Sequence, residues 1–506
     1  MLAKVVSGAT VGLDAVPIDV EVDIASQGLP AFNIVGLPDK AVEESKERVR
    51  AALKNIGAEF PAKRITVNLA PADLQKEGPS YDLPIAIGVL LATGQISTDI
   101  SDSLFIGELS LDGGLRKTNG ILPLAILAKN AGFKKIFLPK INVSESSIVR
   151  GVQSYPVENI IDLFHHLAGN KQLKPGKAVS INLSSNIHHE FDMKEIRGQE
   201  TAKRALEIAA AGSHNVLLKG PPGAGKTLLA RAFPSILPKL TLEEALEVTK
   251  IYSITGQLDP KNPIVTTRPF RTPHHSASAV GLIGGGAHPK PGEISLASRG
   301  VLFLDEFPEF PRHVLESLRG PLEDGVVTVS RASGSLSFPA TFSLIAAANP
   351  CPCGFLGDPK KNCSCLPGQI SRYQKRLSGP ILDRIDLHID VPAVKVEKLT
   401  GETETESSVN IQSRVQKARE VQIRRFRNSN LKSNCEMGPK EIKIYCKLSP
   451  NCLELLRAAV TKMQLSARAY HRVLKVARTI ADLENSKEIE ITHLAEALQY
   501  RSKIDN

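Results

Sequence analysis

Gly220-Pro-Pro-Gly-Ala-Gly-Lys-Thr227 fits the pattern G-x-x-x-x-G-K-[ST] at every fixed position. Asn215-Val-Leu-Leu-Lys219 before it is the apolar run of a buried strand, and Leu228-Leu-Ala-Arg-Ala-Phe233 after it has a helix pattern. Strand, glycine-rich loop and helix in that order mark a phosphate-binding loop. The loop runs through Gly220, Pro221, Pro222, Gly223, Ala224 and Gly225; its glycines are expected to let the backbone N–H groups of the non-proline residues turn toward a polyphosphate, and the helix N-terminus adds a favourable dipole. Lys226 is expected at the β- and γ-phosphates and the Thr227 hydroxyl on Mg²⁺, so the cofactors expected are ATP and Mg²⁺.

A working nucleotidase also needs carboxylates beside that loop. Gly300-Val-Leu-Phe-Leu-Asp-Glu306 is a continuous apolar run ending in two acids. Such a run suits a parallel strand buried on both faces, with its acids at the carboxyl end where open α/β sheets bind ligands. Asp305 is expected to hold Mg²⁺ and Glu306 to polarise the attacking water. Ser343-Leu-Ile-Ala-Ala-Ala-Asn349 is another buried strand with an amide at its end. Val326–Arg331 and Leu336–Phe338, joined across Ala332–Ser335, read as a β-hairpin.

The chain has 506 residues, 42% of them hydrophobic, which suits about three domains at roughly 150 residues each. A net charge of +10 suggests a polyanionic partner, nucleic acid before membrane, although a basic soluble protein has the same balance. Met1–Ser7 has no signal-peptide pattern, and the apolar stretch Leu83–Gly94 is too short to span a bilayer, so a cytoplasmic protein without a membrane partner is expected.

Residues 1–168 alternate strand and helix patterns, as in a separate α/β domain. Val16–Ile24 alternates with period two, Asp39 caps a helix through Lys54, Ile65–Leu69 and Lys135–Leu138 read as strands, and Leu83–Ala92 reads as a buried helix. Residues 169–192, with Lys174-Pro-Gly176, Ser184-Ser-Asn186 and His188-His189, have the composition of a linker. Thr241-Leu-Glu-Glu244 fits a capping box. Arg271-Thr-Pro-His-His275, Gly281-Leu-Ile-Gly-Gly-Gly286 and Pro289–Ser295 read as an irregular glycine- and proline-rich insert, with His274 and His275 expected to hydrogen-bond locally. Beyond a polar linker at 393–408, the helical patterns at Arg414–Arg427, from Ser449-Pro450 onward, at Ala467–Leu483 and at Ile491–Arg501 predict an all-α C-terminal domain. Arg414–Arg427 holds six basic residues and one acid, with Val415, Ala418, Val421 and Phe426 toward a core. Such a helix either grips phosphates or presents a solvated face.

Cys351-Pro-Cys353 and Cys363-Ser-Cys365 bracket a Gly/Pro-rich loop, which suits a tetrahedral Cys₄ zinc site. Free thiols or a redox pair are the alternatives in a reducing compartment. Cys435, Cys446 and Cys452 show no such pairing.

Lys76-Glu-Gly-Pro-Ser-Tyr81, with Gly107–Leu115 and Leu138-Pro139, resembles the Lon protease domain. The resemblance places Ser80 at the nucleophile and Leu124 where Lon has its catalytic lysine. Leu cannot act as the base of a Ser–Lys dyad. The implied N-terminal domain is therefore Lon-like in fold and not a protease.

The phosphate-binding loop, the insert, Asp305-Glu306, the hairpin and Asn349 follow the order of an AAA+ ATPase of the magnesium-chelatase/MCM branch. With Pro273–Ser278, Pro291–Leu296, Asn349-Pro-Cys-Pro-Cys-Gly354 and Ser378–Leu387, nearly the whole chain resembles the YifB/ComM family. The resemblance implies an α/β fold. An AAA+ core with a parallel sheet at 193–393 would lie between the N-terminal domain and a helical lid at 394–506. It makes Asn349 the residue that positions water, Arg384 an arginine finger directed at a neighbouring subunit, and Arg468 a lid arginine on the γ-phosphate. A local ion pair with Asp383 or Asp386 is the alternative for Arg384, and a plain exposed helix arginine is the alternative for Arg468. Further implications are a homo-hexamer and ATP-driven branch migration of branched or single-stranded DNA during natural transformation. Lys290 of the insert and Arg331 of the hairpin would then track the phosphate backbone in a pore. Remodelling of a protein or metallation partner, as by a chelatase motor, is the alternative.

Overall fold

The structure is a computed structural model. It describes residues 2–501 apart from 28, 180, 182–188, 287–288, 332–333, 359–360, 378, 395–404 and 430, and the side chains of 331 and 334 are also outside what is described. Ser184-Ser-Asn186, His188 and the hairpin turn at 332–333 therefore lie outside the described residues, as does most of the 393–408 linker.

Contacts divide the chain into two compact units, Met1–Asn182 with Leu242–Thr266, and Leu183–Thr241 with Thr267–Asn506. The first unit holds a seven-stranded mixed sheet. Leu2–Val11 and Asp14–Ile24 pair antiparallel at its centre, and Arg64–Ala70 continues the antiparallel pairing. The helix Asp82–Ala92 is buried almost throughout, because Leu83, Ile85, Ile87, Val89 and Leu90 leave no polar face. The Asp39 carboxylate accepts from Val42 N at 2.8 Å, as a capping residue should, and two helices follow, Lys40–Glu43 and Ser45–Asn55. Ser80 lies in the 3₁₀ turn Pro79–Tyr81. Leu124 is buried in an apolar cluster with Leu104, Ile106, Ile136 and Leu138. That position supplies packing and no amine.

The helix Leu242–Ile254 begins where the capping pattern predicts, but it belongs to the first unit. Ser253 accounts for this. Its carbonyl accepts from Gly120 N at 3.0 Å, and its hydroxyl donates to the buried Glu145 carboxylate at 2.5 Å. A single cut near residue 168 or 192 does not capture this excursion.

The second unit is built on a five-stranded parallel sheet. Numbered in chain order, its strands are Val216–Lys219, Phe270–Arg271, Val301–Leu304, Ser343–Ala348 and Leu387–Asp390, and their spatial order is 2-3-4-1-5. The loop after the first strand thus lies beside the ends of the fourth and third, where Asn349 and the Asp305-Glu306 pair emerge. Val301–Leu304 and Ser343–Ala348 are buried along their whole lengths, which is why they carry no alternation. C-terminal helices Ser408–Arg425, Pro450–Met463, Ala467–Leu483 and Ile491–Gln499 share an apolar core with this sheet.

Two expectations are corrected. The insert is not irregular throughout: Ala279–Ile283 is a short helix capped by the Ser278 hydroxyl, and Gly284-Gly285 pairs antiparallel with Lys290-Pro291. Gly284 and Gly285 sit at φ 108° and 128°, a region only glycine enters freely, so the residues read as breakers form the pairing. Within Ser408–Arg425, Val415 and Ala418 face the core as expected, as does Phe426 just beyond, but Gln422 is fully buried while Val421 is only half-buried. Three of its cations also turn inward or into ion pairs. Arg414 meets Glu207 at 2.6 Å, Arg419 donates to Ser213 at 2.7 Å, and Arg425 meets Asp482 at 2.5 Å. These pairings weaken the reading of the helix as a grip for phosphates.

Candidate active site

The turn from strand to helix requires glycine at specific points. A Cβ on Gly220 would lie 2.1 Å from the Val391 carbonyl oxygen, and Gly225 takes φ 88° just before the helix Lys226–Ala232. With Asp305, Glu306 and Asn349, residues 222–228 line a cavity of about 390 Å³. The Lys226 ammonium donates to the carbonyls of Gly220 and Pro221 at 2.7 and 2.9 Å and to Asn349 Oδ1 at 3.1 Å. Burial lowers its pKa from the ordinary lysine value, with Asp305 opposing. Thr227 Oγ1 donates to Asp305 Oδ2 at 2.9 Å. Hydroxyl and carboxylate thus meet where they could share one hard cation such as Mg²⁺.

Glu306 lies at the cavity rim in the left-handed region, at φ 50° and ψ 45°. A non-glycine residue there is strained, and such strain concentrates at functional sites. Its backbone N–H donates to Asp305 Oδ1 at 2.9 Å. Sequence reasoning missed one neighbour: His275 Nδ1 is 3.4 Å from Glu306 Oε2. The two lie in separate elements, and no local pattern could have paired them. His274 behaves as expected, with Nδ1 at 2.8 Å from the Ser276 hydroxyl.

The four cysteines come together. Cys351 Sγ is 3.4 Å from Cys353 Sγ and 3.6 Å from Cys363 Sγ. All four sulfurs lie within 4.8 Å of one another. A tetrahedral zinc with Zn–S near 2.3 Å sets sulfurs about 3.8 Å apart, so the donor set fits that ion. Backbone N–H groups of Phe355 and Ser364 lower the Cys353 thiol to about 6, toward the thiolate that a metal needs. The loop also touches the phosphate-binding turn, since a Cβ on Gly354 would lie 2.5 Å from Pro222 Cδ. Cys446 and Cys452 are buried, and burial pushes Cys435 up to about 12 beside Asp386.

Arg384 and Arg468 do not line the cavity. The Arg384 side chain is 3% exposed and pairs with Glu323 at 2.5 Å, not with Asp383 or Asp386. Asp386 instead meets Arg472 at 2.5 Å and accepts from Asn215 N at 3.0 Å. Arg468 is exposed, 3.7 Å from Glu323. Lys290 is exposed on the insert hairpin. The Arg331 side chain lies outside what is described, although its backbone ends the strand Val326–Arg331. No helix among the described residues is long and apolar enough to cross a membrane.

The sheet, loop and carboxylates are those of a P-loop nucleotide-binding protein. Three family models match in succession: subunit ChlI of Mg-chelatase over residues 20–142, magnesium chelatase subunit ChlI over 192–399, and its C-terminal model over 405–501. Competence protein ComM of Haemophilus influenzae is 46% identical, covering 99% of this chain and 98% of its own. The uncharacterized protein YifB of Escherichia coli is 44% identical over 99% and 97%. The magnesium-chelatase 38 kDa subunit of Cereibacter sphaeroides is 28% identical over 32% and 53%. The chain belongs to the YifB/ComM family of magnesium-chelatase-like AAA+ ATPases.

Proposed function

We propose that this ATPase is a ring motor, most simply a homo-hexamer, that couples ATP hydrolysis to movement along branched or single-stranded DNA. The loop Gly220–Thr227 holds the phosphates, Thr227 and Asp305 hold Mg²⁺, Glu306 activates water and Asn349 positions it. Arg384 answers the γ-phosphate of a neighbouring copy, and Arg468 is the lid arginine on the γ-phosphate. The observation that carries the hydrolytic half is the convergence of Lys226, Thr227, Asp305, Glu306 and Asn349 on one cavity. The DNA half is supported by the net charge of +10, by the exposed Lys290 and by the hairpin whose first strand ends at Arg331. A motor that must pass any sequence reads phosphates, not bases.

Binding to a four-way junction should therefore weaken steeply with salt and hardly vary with sequence. Arg331→Ala should still hydrolyse ATP but fail to resolve branched DNA in a gel assay. Normal resolution by that variant at a matched ATPase rate would favour the alternative, remodelling of a protein or metallation partner.

The cysteine loop is proposed to hold one structural zinc. Elemental analysis of protein purified without chelator should give about one zinc per chain. Because Gly354 packs on Pro222, removing that metal should also weaken nucleotide binding. Protein purified without chelator that carries no metal would remove the zinc assignment.

A further inference from the structure

The helix Arg319–Asp324 is followed, after Gly325, by the first strand of the hairpin, Val326–Arg331. From that helix Glu323 reaches two arginines at once. Its Oε1 lies 2.5 Å from Arg384 Nη2 and 3.7 Å from Arg468 Nη2. Arg384 also donates to the Pro380 carbonyl, and its Nε has no partner among the described residues. Burial works to raise the Glu323 carboxyl, yet the hydrogen bond and charge of Arg384, with the charges of Arg468 and Arg472, hold it below the usual carboxylate range. None of Glu323, Arg384 and Arg468 lines the chain's own phosphate cavity.

The two arginines that the family resemblance directs at a γ-phosphate therefore share one carboxylate, and neither lines the phosphate cavity of its own chain. Carboxylate and phosphate oxygens offer a guanidinium the same kind of charged acceptor. We infer that Glu323 is a positioning residue that holds Arg384 and Arg468 in place of the γ-phosphate of a second copy of this chain and gives them up when that nucleotide arrives. This rests on the ATPase reading above. The exchange swaps one anionic acceptor for a more highly charged one, so the buried Arg384 is never left without a partner. Gly325 accepts from Ala340 N at 2.8 Å at the hairpin base, which ties the hairpin directly to the helix that carries Glu323.

The test uses full-length wild type, Glu323→Gln and Arg384→Ala. ATPase activity is followed against protein concentration, since a contact between copies depends on association. Glu323→Gln keeps the shape and removes the charge. It should reach half-maximal specific activity at about two- to fivefold lower protein concentration, the factor a partly exposed ion pair is worth, with kcat no lower than wild type. Arg384→Ala should show no turnover. A Glu323→Gln chain that loses kcat as Arg384→Ala does, or whose concentration dependence is unchanged, would overturn the inference.

A second readout needs no hydrolysis. Phenylglyoxal should modify Arg384, scored by peptide mass, about two- to fivefold faster in nucleotide-free Glu323→Gln than in wild type. Equal rates would overturn the inference. Faster modification in a protein whose wild type hydrolyses no ATP would instead sink the ATPase reading and leave the Glu323 contact standing.

Discussion

Replacing Lys226 with alanine is expected to lower ATP affinity by about a hundredfold or more, taking about 1.5–3 kcal/mol for each hydrogen bond to a charged group. The ammonium is the one cation among the residues lining the cavity. Its donors reach the carbonyls of Gly220 and Pro221 and Asn349 Oδ1, which hold it at the loop. The substitution also strips those acceptors of a donor. A thermal melt of the variant, run beside the calorimetric titration with ATP, separates lost binding from lost folding. ATP binding at wild-type affinity by folded Lys226→Ala protein would contradict the assignment of the loop.

Glu306→Gln should do the opposite. Nucleotide binding persists and turnover falls by about 10²–10⁴, the usual contribution of a positioned acid or base. Glutamine keeps the size of the side chain and the backbone turn at φ 50°. It loses the carboxylate whose basicity lets an oxygen take a proton from water. The variant should therefore accumulate as an ATP-bound oligomer, visible by size-exclusion chromatography with retained nucleotide. Hydrolysis at the wild-type rate would move the role of base elsewhere, and His275, 3.4 Å from Glu306, is the first group to examine.

What could be read from the chain was what is encoded locally. The strand–loop–helix around Lys226, the acids closing a buried strand and the cysteine pairs are each continuous in sequence, and each emerged where expected. Pairings between distant segments were not legible. Glu323 gives no sign in its own helix that it will meet Arg384 and Arg468. The helix Leu242–Ile254 announces its start but not that Gly120 and Glu145 will claim Ser253. The basic helix misleads for a related reason: composition counts Arg414, Arg419 and Arg425 as surface charge, while Glu207, Ser213 and Asp482 take them up. In the insert, glycines were read as breakers because their freedom was weighed without the antiparallel partner at Lys290-Pro291 that uses it.

The claim at the centre of this account is that hydrolysis at Glu306 serves movement on DNA. It is tested most directly by the steady-state rate of phosphate release from full-length protein at low salt, with and without a four-way DNA junction, beside Glu306→Gln as the blank. The account predicts release by wild type alone, a clear rise on adding the junction, loss of that rise as salt increases, and release by Glu306→Gln slower than wild type by about a hundredfold or more under every condition. A wild-type rate that the junction leaves unchanged at low salt would contradict it.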